Sequence, residues 1–147
     1  DGPHRAELMQ KCADDGIHLI SPGTVSAASR EAYLKQADLF VQPSIELGAR
    51  REGTPVALLE AMAAGVPCVA SATGGIRNLA EQTPMALFRP GDAEALRTTL
   101  VELISNQEAR QKMAAHQQAF AEKYLWPHWG AVHEAHLRDS LAFSRCG

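Results

Sequence analysis

Two glutamates eight positions apart, Glu52 and Glu60, bracket the segment Gly53-Thr54-Pro55-Val56-Ala57. Thr54 is a good N-cap residue and Pro55 is favoured at the first helical position, so the spacing predicts a helix over 55–64 that stops at Gly65. Glu60 then lies mid-helix. Its neighbours three and four residues away are Val56, Ala57, Ala63 and Ala64. None is basic, so no local ion pair compensates a buried charge there. Such a carboxylate either sits on a free helix face or is kept for a ligand. The helix start between the two acids presents unpaired N–H groups and the positive end of the helix dipole, a natural phosphate site. Acids on either side of a phosphate cradle would meet hydroxyls, not the phosphate. Ribose, diphosphate and hexose, in that order, have this layout.

Other groups are weighed against plainer roles. His128, His133, His136 and Glu134 include "HEAH", one residue short of a metalloprotease H-E-x-x-H, and the default is a solvated helix face. Trp126 and Trp129 flank a proline; packing is favoured over a sugar platform. Arg50-Arg51 either helps to hold phosphate or is a plain basic loop. Cys68, in an apolar run, reads as inert core, and Asp14-Asp15 as a helix end. Paired carboxylates also suit a glycoside hydrolase, but retaining hydrolases hold them only about 5 Å apart across a sugar. Glu60, behind a helix start, fits that badly. A non-enzymatic nucleotide-binding module is the other alternative.

The elements that position these residues alternate. Residues 5–16, "RAELMQKCADDG", form a helix with Leu8, Met9, Cys12 and Ala13 on one face. "IHLI" (17–20) reads as a strand ending at Ser21-Pro22-Gly23, and 29–37 as a helix capped by Ser29. "LFVQ" (39–42) is a buried strand closed by Pro43. After the helix at 55–64, with Leu58, Leu59 and Met62 as core, "PCVAS" (67–71) is a strand leading through a Gly74-Gly75 turn into a short helix at 76–81. "ALF" (86–88) is a further strand, and Asp92 caps a helix near 93–104. Residues 106–143 read as helix broken at Trp126-Pro127. Short apolar strands alternating with helices specify an α/β domain with a parallel sheet. Ligands bind beyond the carboxyl ends of such strands, so the loops after Ile20, Gln42, Ser71 and Phe88 should line the site.

Composition narrows the classes. The 147 residues are 46% hydrophobic and 21% charged, enough for one core-forming domain. A net charge of −3 without a long basic run argues against a nucleic-acid surface. No apolar run reaches membrane-spanning length and the start lacks a signal-peptide pattern. Cys12, Cys68 and Cys146 are scattered and odd in number, which argues against a disulfide framework and fits a reducing, cytoplasmic setting. The opening "DGPHRAEL", with no initiator Met, reads as part of something longer.

The segment "EGTPVALLEAMAAGVPCVAS" closely resembles the E-x7-E segment of retaining GT-B glycosyltransferases (glycosyl transferases group 1). "DGPHRAEL", "ADLFVQPS", "ATGGI" and "ALFRPGDAEAL" agree with that family in order and spacing, and the loop "SIELGARREGTP" resembles its exopolysaccharide and capsule branch. The resemblance covers nearly the whole chain. It implies a Rossmann-like parallel sheet with flanking helices, half of a GT-B fold. Residues 1–105 would be the α/β core of a donor-binding C-terminal domain, and 106–147 its terminal helices. Glu60 would hydrogen-bond the donor ribose. Glu52 would contact a hexose hydroxyl near the reacting centre, as a positioning and electrostatic residue. The amides of Gly53 and Thr54 would touch the hexose, those of Val56 and Ala57, after Pro55, the phosphates. Thr24 and Val25, in the turn at Gly23, would lie by the base. Transfer from a UDP- or GDP-linked sugar would retain anomeric configuration without a required metal or other cofactor. The acceptor would be a polysaccharide or lipid-linked glycan held by another domain, with peripheral association of the parent at the inner membrane face compatible with that role.

Two departures stand out. Family members usually read Gly-Ile-Pro-Glu where this chain has Gly75-Ile76-Arg77-Asn78. The first strands of the family's C-terminal domain and its glycine-rich turn, with downstream Arg and Lys for the diphosphate, have no counterpart here. In the strand order 3-2-1-4-5-6 the missing strands are central. The expectation is that the segment belongs to a longer chain or completes its sheet through another one, and that alone it transfers no sugar.

Overall fold

The computed structural model describes residues 2–45, 53 and 55–124. Glu52, Thr54, Arg50-Arg51, Trp126, Pro127, Trp129, the three C-terminal histidines and Cys146 lie outside the described residues. The chain divides into two compact units, Asp1–Tyr33 and Leu34–Gly147.

In the first unit, helix α1 spans Arg5–Asp14. Gly16 (φ 68°) ends it, with its N–H bonded to the Ala13 carbonyl and that of Ile17 to the Cys12 carbonyl. This paired closure needs a left-handed residue, which glycine supplies without strain. The expected strand at 17–20 does not form. A strand is held by its ladder, and no described segment pairs with these residues; Ile17 and Ile20 are 57% and 65% exposed. Helix α2 spans Ala27–Gln36, two residues ahead of the expected start. Its cap is Ser26, not Ser29: the Ser26 hydroxyl oxygen accepts the Ser29 N–H at 3.1 Å.

The second unit is built on three parallel strands in the order β1 (Phe40–Gln42), β2 (Cys68–Ser71), β3 (Ala86–Phe88). The register pairs Val41 with Val69, and Ala70 with Leu87. All four residues of β2 are buried, as a strand covered on both faces requires. Helix α3 (Val56–Ala63) joins β1 to β2 and buries Leu58, Ala61 and Met62, spaced i, i+3, i+4. Leu59 is half-buried against the same core. The cap position falls on Pro55 (φ −64°, ψ 126°), so proline precedes the helix instead of opening it. Its carbonyl accepts from the N–H groups of Leu58 and Leu59. Gly65 (φ 76°) closes α3 as Gly16 closes α1, with Val66 N–H returning to Ala61.

Helix α4 runs Gly74–Ala80, so the two glycines form its first turn and not a turn before it. Helix α5 (Ala93–Ser105) is capped by Asp92, which accepts the Ala95 N–H at 2.9 Å. Helix α6 (Gln107–Ala121) starts afresh on Asn106, whose side chain accepts the Ala109 N–H. Residues Glu122–Tyr124 continue it as a 3-10 turn. Met113, Gln117, Phe120 and Ala121 face the core under α3. Gln117 is fully buried and uses both ends of its amide. Its Oε1 accepts the Cys68 N–H at 2.9 Å, and its Nε2 donates to the Pro84 carbonyl at 2.8 Å. One side chain therefore ties α6 to the start of β2 and to the entry of β3.

Candidate donor site at the carboxyl edge of the sheet

Parallel strands bring the exits of β1, β2 and β3 to one edge. The exits of β1 and β2 are laced together: the Ser71 hydroxyl lies 2.6 Å from the Ser44 carbonyl oxygen and 3.3 Å from that of Gln42. The Ala72 N–H donates to the Phe88 carbonyl at 2.9 Å, which joins the β3 exit to the same edge. Helix α3 starts from the β1 exit and α4 from the β2 exit.

Among the described residues no side chain caps the start of α3, and Val56 and Ala57 are both exposed, Val56 at 69%. Gly53 is exposed and Pro55 half-buried. Glu60 stands half-buried on α3, about 6 Å of helix rise beyond Val56. The structure thus gathers Gly53, Pro55, Val56, Ala57 and Glu60 on one segment at the carboxyl edge. Thr24, exposed, and Val25, half-buried, belong to the first unit beside Gly23 (φ 73°).

The helix start can accept an anion, because its first N–H groups point outward with the positive end of the dipole, worth roughly half a charge. Cys68 lies beneath α3 with its thiol against the Val66 and Leu58 carbonyls, and burial pushes its pKa up to about 12. It is a packing residue, as its place in an apolar run suggested. Among the described residues no three His, Cys, Asp or Glu side chains cluster as a metal site.

Sequence reasoning missed three side chains that organise the sheet: Ser71 and Arg77 at its carboxyl edge, and Gln117 at the opposite end, where β2 and β3 begin. Ser71 was read only as the end of a strand. Gln117 carried a usable signal, a polar residue at the core register of Met113, Phe120 and Ala121. Arg77 was noted only as a departure. Its Nε donates to the Ala72 carbonyl at 2.6 Å, so the side chain turns back to the β2 exit. Thr73 is 1% exposed and its hydroxyl has no partner among the described residues.

Residues 1–106 match the family described as glycosyl transferases group 1. The chain is 45% identical over 108 residues to the amylovoran biosynthesis glycosyltransferase AmsK of Erwinia amylovora, covering 69% of this chain and 26% of that protein. Among solved structures it is similar to the sucrose-phosphate synthase of Thermosynechococcus elongatus, with a TM-score of 0.77, 22% identity and coverage of 96% of this chain and 35% of that one. It is also similar to Anabaena HepE solved with UDP and glucose, with a TM-score of 0.69, 24% identity and coverage of 80% and 31%. These likenesses establish a Rossmann-like half of a GT-B fold. The chain spans about a quarter of the first curated relatives it matches.

Proposed function

Because the chain belongs to the glycosyl transferases group 1 family, we propose that it supplies the donor-binding half of a retaining glycosyltransferase. The parent enzyme moves a sugar from a UDP- or GDP-linked donor to a growing polysaccharide or a lipid-linked glycan. One observation carries this reading: the exposed first turn of α3 at the carboxyl edge, uncapped among the described residues, with Glu60 one turn further on. The Val56 and Ala57 amides hold the diphosphate, whose charge the helix end meets without a required metal. Glu60 takes the ribose hydroxyls. Glu52 and the amides of Gly53 and Thr54 meet the hexose, with Glu52 positioning the donor and stabilising charge near the reacting carbon. Pro55, extended in front of the helix, has no side chain that caps its first donors. Thr24 and Val25 serve the base.

The relatives support this direction by their printed roles: AmsK acts in amylovoran biosynthesis, and HepE was solved with UDP and glucose. An exopolysaccharide-type acceptor, bound outside this chain, is the reading that AmsK favours. Among the described residues no helix is long and apolar enough to cross a membrane; the parent works at the cytoplasmic face.

Titration calorimetry of the chain with UDP, GDP and ADP tests the proposal. One nucleotide should bind, and Glu60→Ala should weaken it about tenfold or more, the scale of a lost charge-assisted hydrogen bond. No binding of any of the three overturns the reading. The anomeric configuration of the parent enzyme's first product tests retention separately, and an inverted product overturns that part alone.

A further inference from the structure

Arg77, outside the residues assigned above, lies on the exposed side of α4. We propose that its guanidinium binds an anionic group of the donor, a phosphate or a carboxylate, at the carboxyl edge of β2. The inference rests on the nucleotide-sugar reading above. Its Nε is committed to the Ala72 carbonyl at 2.6 Å, which holds the planar group at the β2 exit; among the described residues the two terminal nitrogens are left to a ligand. Ala72 follows Ser71, whose hydroxyl is bound to the carbonyls of the β1 exit. The cation therefore sits one strand over from the exit that feeds α3, and neighbouring strands are only about 4.8 Å apart.

Its electrostatic setting differs from those of Arg97 and Arg110. Arg97 is paired with Glu94, and Arg110 donates to the Leu103 and Ile104 carbonyls at the end of α5, where the dipole favours a cation. Arg77 is turned toward the start of its helix, where the dipole disfavours one. No carboxylate pairs with it among the described residues. An anion at this step meets a fixed fork of donors and relieves the mismatch.

The test compares wild type, Arg77→Gln and Arg77→Lys by calorimetry against a ladder of ligands: the nucleoside, its monophosphate and diphosphate, and the diphosphate linked to glucose or to glucuronic acid. The base is that of whichever nucleotide binds. Glutamine can still donate to the Ala72 carbonyl, so it keeps the local tie and removes the charge. The expected result is about a tenfold loss in Arg77→Gln, partial recovery in Arg77→Lys, and no change for the nucleoside. A loss shared by every diphosphate places the guanidinium on phosphate; a loss confined to the glucuronate donor places it on a sugar carboxylate. Equal affinities of wild type and Arg77→Gln for all five ligands overturn the inference while leaving the donor reading intact. An equal loss for the nucleoside also overturns it, because that marks a structural role. A wild-type chain that binds none of them overturns both.

Discussion

Helices α3 and α5 solve the same problem in opposite ways. The body of α3 is buried, with Leu58, Ala61 and Met62 fully covered, yet among the described residues its start carries no side-chain cap. The body of α5 has no buried residue, and its start is closed by Asp92. A helix held by tertiary packing does not need its first turn satisfied internally. A surface helix gains from a cap worth about 1 kcal/mol and from local pairs such as Glu94–Arg97. On the proposed reading the difference matters to the ligand: where a carboxylate of the chain already occupies the first N–H groups, a phosphate has no place.

The comparison can be broken most forcefully in the core. Met62→Ala should cost about 2–5 kcal/mol in chemical denaturation, whereas Leu100→Ala, at a half-buried position of α5, should cost well under half of that. Equal losses would contradict the assignment of packing to α3 alone. Next in size is Gln117→Ala, which strips partners from the buried Cys68 N–H and the Pro84 carbonyl; about 1–3 kcal/mol per orphaned group should be lost. A loss below 0.5 kcal/mol, on the order of a surface change, would show that the clamp does not hold α6 to the sheet.

Alkaline titration probes the floor of α3. The Cys68 thiol stays neutral in the folded chain up to about pH 12, against a usual value of 9.0. Its folded pKa is raised, so its contribution is complete below about pH 9 and is lost as pH climbs toward 12. Stability should fall there by up to about 1.4 kcal/mol per pH unit more in wild type than in Cys68→Ala. Parallel curves would remove the effect from Cys68.

The smallest effects sharpen the contrast between the two helix starts. Asp92→Ala should lower stability by about 1 kcal/mol and leave nucleotide affinity unchanged. Pro55→Asp places a carboxylate where α3 has none. It should leave stability within about 1 kcal/mol of wild type while weakening nucleotide binding several-fold, by occupying and repelling at the phosphate position. Unaltered binding in Pro55→Asp would remove the first turn of α3 from the site.

Much of the fold was legible from local signals. The strands at 40–42, 68–71 and 86–88 are short apolar runs bounded by turn residues, and Gly16, Gly65 and Asp92 marked their helix ends correctly because each acts within a few residues. The misplaced starts at Ser26 and Pro55 have a common cause. Adjacent residues can each serve as a cap, and only the backbone angles choose between Ser26 and Ser29, or decide that Pro55 stays extended. The strand expected at 17–20 failed for a different reason: apolar character is local, but a ladder needs a partner. In the candidate site, the type and spacing of Gly53 to Glu60 were visible in sequence, along with the helix that carries them.

What the sequence by itself determined is the order of the elements from residue 27 to residue 105 and the parallel class of the sheet, because periodicity, capping chemistry and chain direction are properties of short segments. Only the tertiary structure decided that Ser71 laces two strand exits together, that Gln117 clamps α6 across 49 residues to Cys68, and that Arg77 turns back to the β2 exit. Those outcomes depend on which distant backbone groups remain unpaired once the sheet has formed.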